Sequence, residues 1–178
     1  MKRRIEVVPY DPGWPERFRR EAEQLRTVFG SQVVAIHHVG STAIPGIKAK
    51  PIIDILVVVE DLDQVDRRNA EMAARGYIPK GSFGIPKRRF FIKGTETERT
   101  HHVHVFGLAH PAIRRHLAFR DYLRAHPGRA RAYSRLKEEL ARKFRHDIEG
   151  YMAGKDAFIK NIETEAQAWK DRRKADKT

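Results

Sequence analysis

The chain is predicted to be an α+β protein: a mixed β-sheet, then a layer of helices. Three observations carry that prediction. Two apolar runs, 32–39 and 51–59, are short and rich in β-branched residues, as strands are. A segment with helical spacing precedes them, and another separates the second run from a later pair of strand-like segments. From Pro111 onward, apolar residues recur only at helical spacing.

Taken in order, residues 5–8 form a short extended piece, stopped by Pro9 and Pro12. Residues 14–29 read as a helix. Pro15 suits its first turn, Phe18, Ala22, Leu25 and Phe29 share a face, and Gly30 follows its end. The runs 32–39 and 51–59 are strands, the second nearly unbroken and therefore central. Leu62, Val65, Met72 and Ala73 place a helix over 62–75, closed by Gly76. A short strand is expected at 77–79 and a loop at 83–86. Strands at 88–93 and 101–106 are joined by the polar segment 94–100 as a hairpin. Helices follow at 112–124 and 129–146. Gly150 and Gly154 then break the chain before a last helix at 155–169. One domain over 1–170 and a frayed polar tail at 171–178 are expected.

Bulk properties narrow the function. A chain of 178 residues can bury a core, and it has no cysteine, so disulfides and zinc–thiolate centres are excluded. The basic start Met1-Lys2-Arg3-Arg4 is followed by an apolar stretch too short for a signal peptide. No run approaches a membrane span, so a cytoplasmic protein with no membrane partner is expected. The net charge of +13 and pI of about 10.3 point to an anionic partner. Residues 111–160 hold 13 Lys/Arg against 6 Asp/Glu, about half of the excess. Nucleic acid is a partner suggested by charge alone, because aromatics are not interleaved with the basic residues. The sequence specifies no oligomeric state.

The most informative stretch is 38–55. Gly40-Ser41-Thr42 follows the first strand, and Asp54 lies inside the second. A glycine there lets a phosphate approach the backbone, and the two hydroxyls can donate to it. A carboxylate within a strand needs a partner, because burying it alone is costly. Asp54 could hold a divalent cation that bridges phosphates. The same residues also suit a tight turn and an acid paired with a lysine such as Lys50.

A Gly-Ser, a gap of about a dozen residues and an acid on a strand resemble the nucleotidyltransferase superfamily signature. Asp54 matches its first acid, but Leu56 stands where the second would be, which departs from a two-metal mechanism. Longer segments resemble the GrpB family, also called UPF0157 and found fused to dephospho-CoA kinase in some bacteria. They are 8–15, 38–46, 50–55 and His102-Val103-His104-Val105, with later agreement at 119–123, Tyr133, Leu136-Lys137 and Gly154-Lys155. The resemblance spans nearly the whole chain. It implies a nucleotidyltransferase-like mixed β-sheet with flanking helices and a C-terminal helical layer, and little about the reaction.

His102 and His104 share a strand face. On the superfamily pattern one of them stands near the third acid, so Asp54, His102 and His104 are the expected metal ligands and Asp54 and His104 the expected catalytic pair. The cation would be Mg, Mn or Zn, with histidine favouring the softer metals. These histidines could equally bind phosphate or line a polar cleft. Lys50, Arg120 and Lys137 are expected to neutralise phosphate charge, beside Gly40, Ser41 and Thr42, with Lys155 and the group Lys87-Arg88-Arg89 as further basic candidates. The expected function is binding of a nucleoside triphosphate or phosphorylated small molecule, with transfer of a nucleotidyl or phosphoryl group. The alternative is a non-catalytic accessory module that binds a nucleotide or CoA precursor.

Overall fold

In a computed structural model describing residues 4–176, the chain forms one five-stranded mixed sheet with helices on both faces. The basic start Met1–Arg3 and the last two residues of the expected tail lie outside the described residues. The strands are β1 (Val33–Val39), β2 (Ile53–Val59), β3 (Tyr77–Pro79), β4 (Arg88–Gly94) and β5 (Arg99–Gly107), in the order β1-β2-β5-β4-β3. Only the β2–β5 pair is parallel. The strands expected at 32–39 and 51–59 are paired, antiparallel, with Val39 opposite Asp54. The expected hairpin is β4–β5.

Alternation along β2 divides the molecule. Ile53, Ile55, Val57 and Val59 face α1 (Trp14–Phe29), and with Val103, Val105 and Phe91 they form the main core against Trp14, Leu25, Val28 and Phe29. On the opposite face Leu56 packs with Val39, Phe106 and Ala112 beneath α4 (Pro111–Ala125). Two further C-terminal helices, α5 (Pro127–Lys143) and α6 (Ile148–Ala175), join α4 around Ala118, Leu123, Ala130, Tyr133, Ile162 and Ala166. Ile44 and Ile47, from the loop between β1 and β2, plug into that layer and tie it to the sheet.

Three expectations are corrected. The helix expected at 62–75 is two short helices, α2 (Asp63–Asp66) and α3 (Asn69–Ala74). The break at Arg67-Arg68 lets both Val65 and Met72 reach the main core. Gly150 and Gly154 do not break the chain; α6 starts at Ile148, capped by Asp147, whose carboxylate accepts from Gly150 N–H at 3.0 Å. Both glycines serve close packing instead. A Cβ at 154 would lie 2.5 Å from Leu140 Cδ2, and one at 150 would lie 2.5 Å from Phe144 Cδ1. The polar segment after Trp169 is not frayed: α6 continues to Ala175, with Lys170 paired to Asp121 at 2.6 Å and Asp171 to Arg114 at 2.6 Å. None of the helices, among the described residues, is long and apolar enough to cross a membrane.

Leu56 is fully buried, so its side chain measures the packing of β2 under α4. Leu56→Ala is expected to lower stability by about 2–5 kcal/mol. Leu56→Asp should lower it further by leaving a carboxylate unpaired in that core. Urea unfolding of the two variants checks the order.

Candidate functional site

The sheet face that carries Leu56 opens, two residues earlier on β2, into a cleft of about 500 Å³. Register explains why its residues meet. Asp54 lies beside His102 and Leu56 beside His104 in the parallel pair, while Phe90 faces His104 and Arg88 faces Phe106 across the hairpin. Asp54, His102, His104, Phe90 and Arg88 thus share one face. Ser41 borders the same cavity, as do Lys50, Lys137 and Lys155.

Asp54 is the centre. Its Oδ1 lies 3.4 Å from His102 Nδ1 and 3.2 Å from His104 Nε2. Arg88 Nη1 lies 3.3 Å from His104 Nδ1 and can only donate, so His104 Nδ1 accepts and its Nε2 carries the proton toward Asp54. Burial alone would raise the Asp54 carboxyl, but the hydrogen bonds from His102 and His104 hold it below the usual carboxylate range. Burial lowers His102 despite Asp54, and it lowers His116, whose ring lies 5.6 Å from that of His104, to about 4. An ionised acid therefore lies beside His102, whose imidazole burial keeps neutral at neutral pH.

Gly40 makes this arrangement possible. Its φ of 72° and ψ of −172° suit glycine, and a Cβ there would lie 2.6 Å from Asp54 Oδ2. The expected phosphate loop is a 3-10 turn over Ser41–Ala43, with Ala43 N–H donating to Gly40 and Ile44 N–H to Ser41. Thr42 departs from expectation. It is buried, and its hydroxyl is 2.8 Å from His38 Nε2. Burial lowers His38 to about 4, and its ring stacks on Phe18. Thr42 and His38 therefore wall the cleft from behind.

The opposite wall is cationic. Lys137, on α5, is 2% exposed; its ammonium donates to the Lys48 carbonyl and lies 4.5 Å from the Tyr133 ring centroid. Lys155, on α6, is 7% exposed and lies 4.5 Å from the Tyr151 ring, which Lys50 also approaches at 5.3 Å. Burial lowers Lys137 to about 7, and Lys155 and Lys50 add to the effect; burial and Lys50 lower Lys155 to about 8. Arg88 and Arg99 complete the cationic lining, and Asp54 is its one acid among the described residues.

Two other expectations change. Arg120 does not reach this cleft. It donates to the His38 carbonyl at 3.2 Å, pairs with Asp121 and lines a separate pocket behind Thr42 with Arg124. Asp54, His102 and His104 do come together, but as a hydrogen-bonded set. Among the described residues, no three His, Cys, Asp or Glu side chains are arranged to hold a metal ion. Asp54 Oδ1 instead meets His104 Nε2 and His102 Nδ1 directly, at 3.2 Å and 3.4 Å. Sequence reasoning did not single out Arg99, Tyr151 or His116, and Tyr133 entered through the family resemblance. The signal for Arg88 and Phe90 was the hairpin register, which places them on the histidine face.

Comparison with known proteins agrees with this architecture. The GrpB protein family model matches residues 4–165, so the chain belongs to the GrpB family. UPF0157 protein YqkA of Bacillus subtilis is 49% identical over 95% of this chain, which spans 49% of that protein's length. UPF0157 protein PA4798 of Pseudomonas aeruginosa is 45% identical over 89% of this chain and 66% of its own length. A protein named dephospho-CoA kinase from Mycobacterium tuberculosis is 28% identical over 93% of this chain and 46% of its own length. The crystal structure of conserved protein GrpB from Enterococcus faecalis superposes with a TM-score of 0.88 and 44% identity, covering 92% of this chain and 99% of that one.

Gly40→Ala should displace the Asp54 carboxylate and force an unfavourable backbone, lowering stability by about 1–3 kcal/mol. Thermal unfolding measures the loss, and histidine NMR shifts should report the broken contacts of Asp54 with His102 and His104.

Proposed function

We propose that the cleft binds a phosphorylated small molecule, nucleotides included. One observation carries this reading: Lys137 and Lys155 are buried together and face a cavity whose lining holds a single acid. Burying like charges together is unfavourable unless an anion joins them. Phosphate oxygens would accept from these ammonium groups and from Ser41 and the backbone at Gly40. A divalent cation, Mg or Mn, would enter with the phosphates and use Asp54. Asp54 and His104 are the pair we assign to nucleotidyl or phosphoryl transfer, with the His104 ring oriented between Arg88 and the Asp54 carboxylate.

A second reading is favoured by Leu56. Its burial beneath α4 leaves no second carboxylate beside Asp54. That supports a binding module without two-metal chemistry. The similarity to part of proteins named dephospho-CoA kinase makes a CoA precursor a natural candidate for such a module.

Calorimetric titration with ATP and with dephospho-CoA, each with and without Mn, tests the binding reading. Replacing Ser41 and Lys50 together by alanine should weaken binding at least about tenfold, each lost bond to a charged oxygen being worth about 1.5–3 kcal/mol. Arg120→Met should leave affinity within about twofold, since Arg120 faces the other pocket. Wild-type protein that binds neither ligand at millimolar concentration would sink the proposal.

Protonation gives an independent check. Lys137 and Lys155 carry charge below about 7 and about 8. Anion affinity should therefore fall about tenfold or more from pH about 6 to about 9. Stability moves the other way. Unfolded lysine titrates near 10.5, so between about 8 and that value the unfolded chain holds the extra proton and stability rises with pH. Lys155→Met should stabilise the ligand-free fold by about 1 kcal/mol while weakening anion binding. A destabilised Lys155→Met variant would contradict this account of the buried charge.

A further inference from the structure

The mouth of the cleft is apolar where its walls are charged. Phe83, Ile148 and Met152 are 54%, 39% and 49% exposed, and all three line the cavity. Single exposed hydrophobic residues are ordinary, but three at one entrance are not. Ile148 and Met152 are one helical turn apart at the start of α6, which also carries Lys155. Phe83 comes from the loop between β3 and β4.

Phe83 is held there against its backbone preference. Its φ is 46°, a left-handed conformation that a bulky residue rarely adopts. Arg88 fixes the loop: Nη2 donates to the Phe83 carbonyl at 2.8 Å and Nε to the Ser82 carbonyl at 3.2 Å. The same guanidinium donates to His104 Nδ1. The Phe83 ring stacks on Phe90 at 5.2 Å, and Phe90 lies 5.2 Å from His104. One buried arginine thus orders both the Asp54–His104 pair and an exposed aromatic ring at the entrance.

Building on the phosphate-binding reading, we infer that the ligand is two-ended: a phosphate group against Lys137 and Lys155, and a flat apolar ring laid on Phe83, Ile148 and Met152 at the mouth. A cavity of about 500 Å³ accommodates one such small molecule. A bare polyphosphate would satisfy the lysines and leave the apolar entrance in water. A neutral ring would cover the entrance and leave the lysines uncompensated.

The experiment compares phenyl phosphate with glycerol 3-phosphate by calorimetry on the full chain. Both offer the same phosphate monoester, and only one offers a ring. Phenyl phosphate should bind about tenfold more tightly. Phe83→Ala should abolish that preference and leave glycerol 3-phosphate affinity within about twofold, while Phe83→Trp should retain the preference. Thermal unfolding confirms that both variants fold. Equal affinities in the wild type, or a preference that survives Phe83→Ala, would overturn the two-ended ligand while the phosphate site stands. If neither phosphate binds at about 10 mM, the phosphate reading fails and this inference with it.

Discussion

Asp54 occupies a sheet face where an unpaired carboxylate would be strongly disfavoured, and much of the surrounding structure keeps it paired. The parallel register of β2 and β5 brings His102 beside it and His104 within 3.2 Å. Glycine at position 40 leaves room for its second oxygen, since a side chain there would meet it at 2.6 Å. Arg88 sets the His104 tautomer from the neighbouring strand. Removing any one of these supports leaves a half-buried carboxylate short of a partner or an imidazole misdirected.

The helical layer answers that carboxylate with an excess of positive charge. Lys137 and Lys155 sit on different helices, each over a tyrosine ring, and face the sheet across the cleft. Their low proton affinity is the electrostatic consequence of burial beside one another and beside Lys50. Apolar residues of similar volume at such buried cationic positions are expected to make the packing more stable. The close contact of α5 and α6 through Gly150 and Gly154 brings the two lysine-bearing helices together.

The two sides of the sheet carry different duties. The α1 face is almost wholly apolar and holds the fold. The opposite face is split: Leu56 and Phe106 pack under α4, and the stretch beside them is hollow and polar. This division accounts for the departure from the two-acid nucleotidyltransferase pattern. Position 56 belongs to the packed half, so a carboxylate there would face a hydrophobic cluster rather than the cleft.

Much of this was legible in the sequence because it depends on short-range pattern. Apolar periodicity located the sheet strands, α1 and the three C-terminal helices, and Gly40-Ser41, Asp54 and the His-x-His pair are local motifs that fall on one cleft. Strand alternation put His102 and His104 on one side, since that geometry is local. Helix direction misled at Gly150 and Gly154, where glycine answers to a neighbouring helix and not to its own. Arg120 and Lys137 illustrate the remaining limit. Both are basic residues on amphipathic helices, and only the packing angle of α4 and α5 against the sheet sends Lys137 into the cleft and Arg120 behind Thr42. The proton position on His104 was likewise decided in three dimensions. It depends on Arg88, which reaches His104 through a hairpin register that no local pattern encodes.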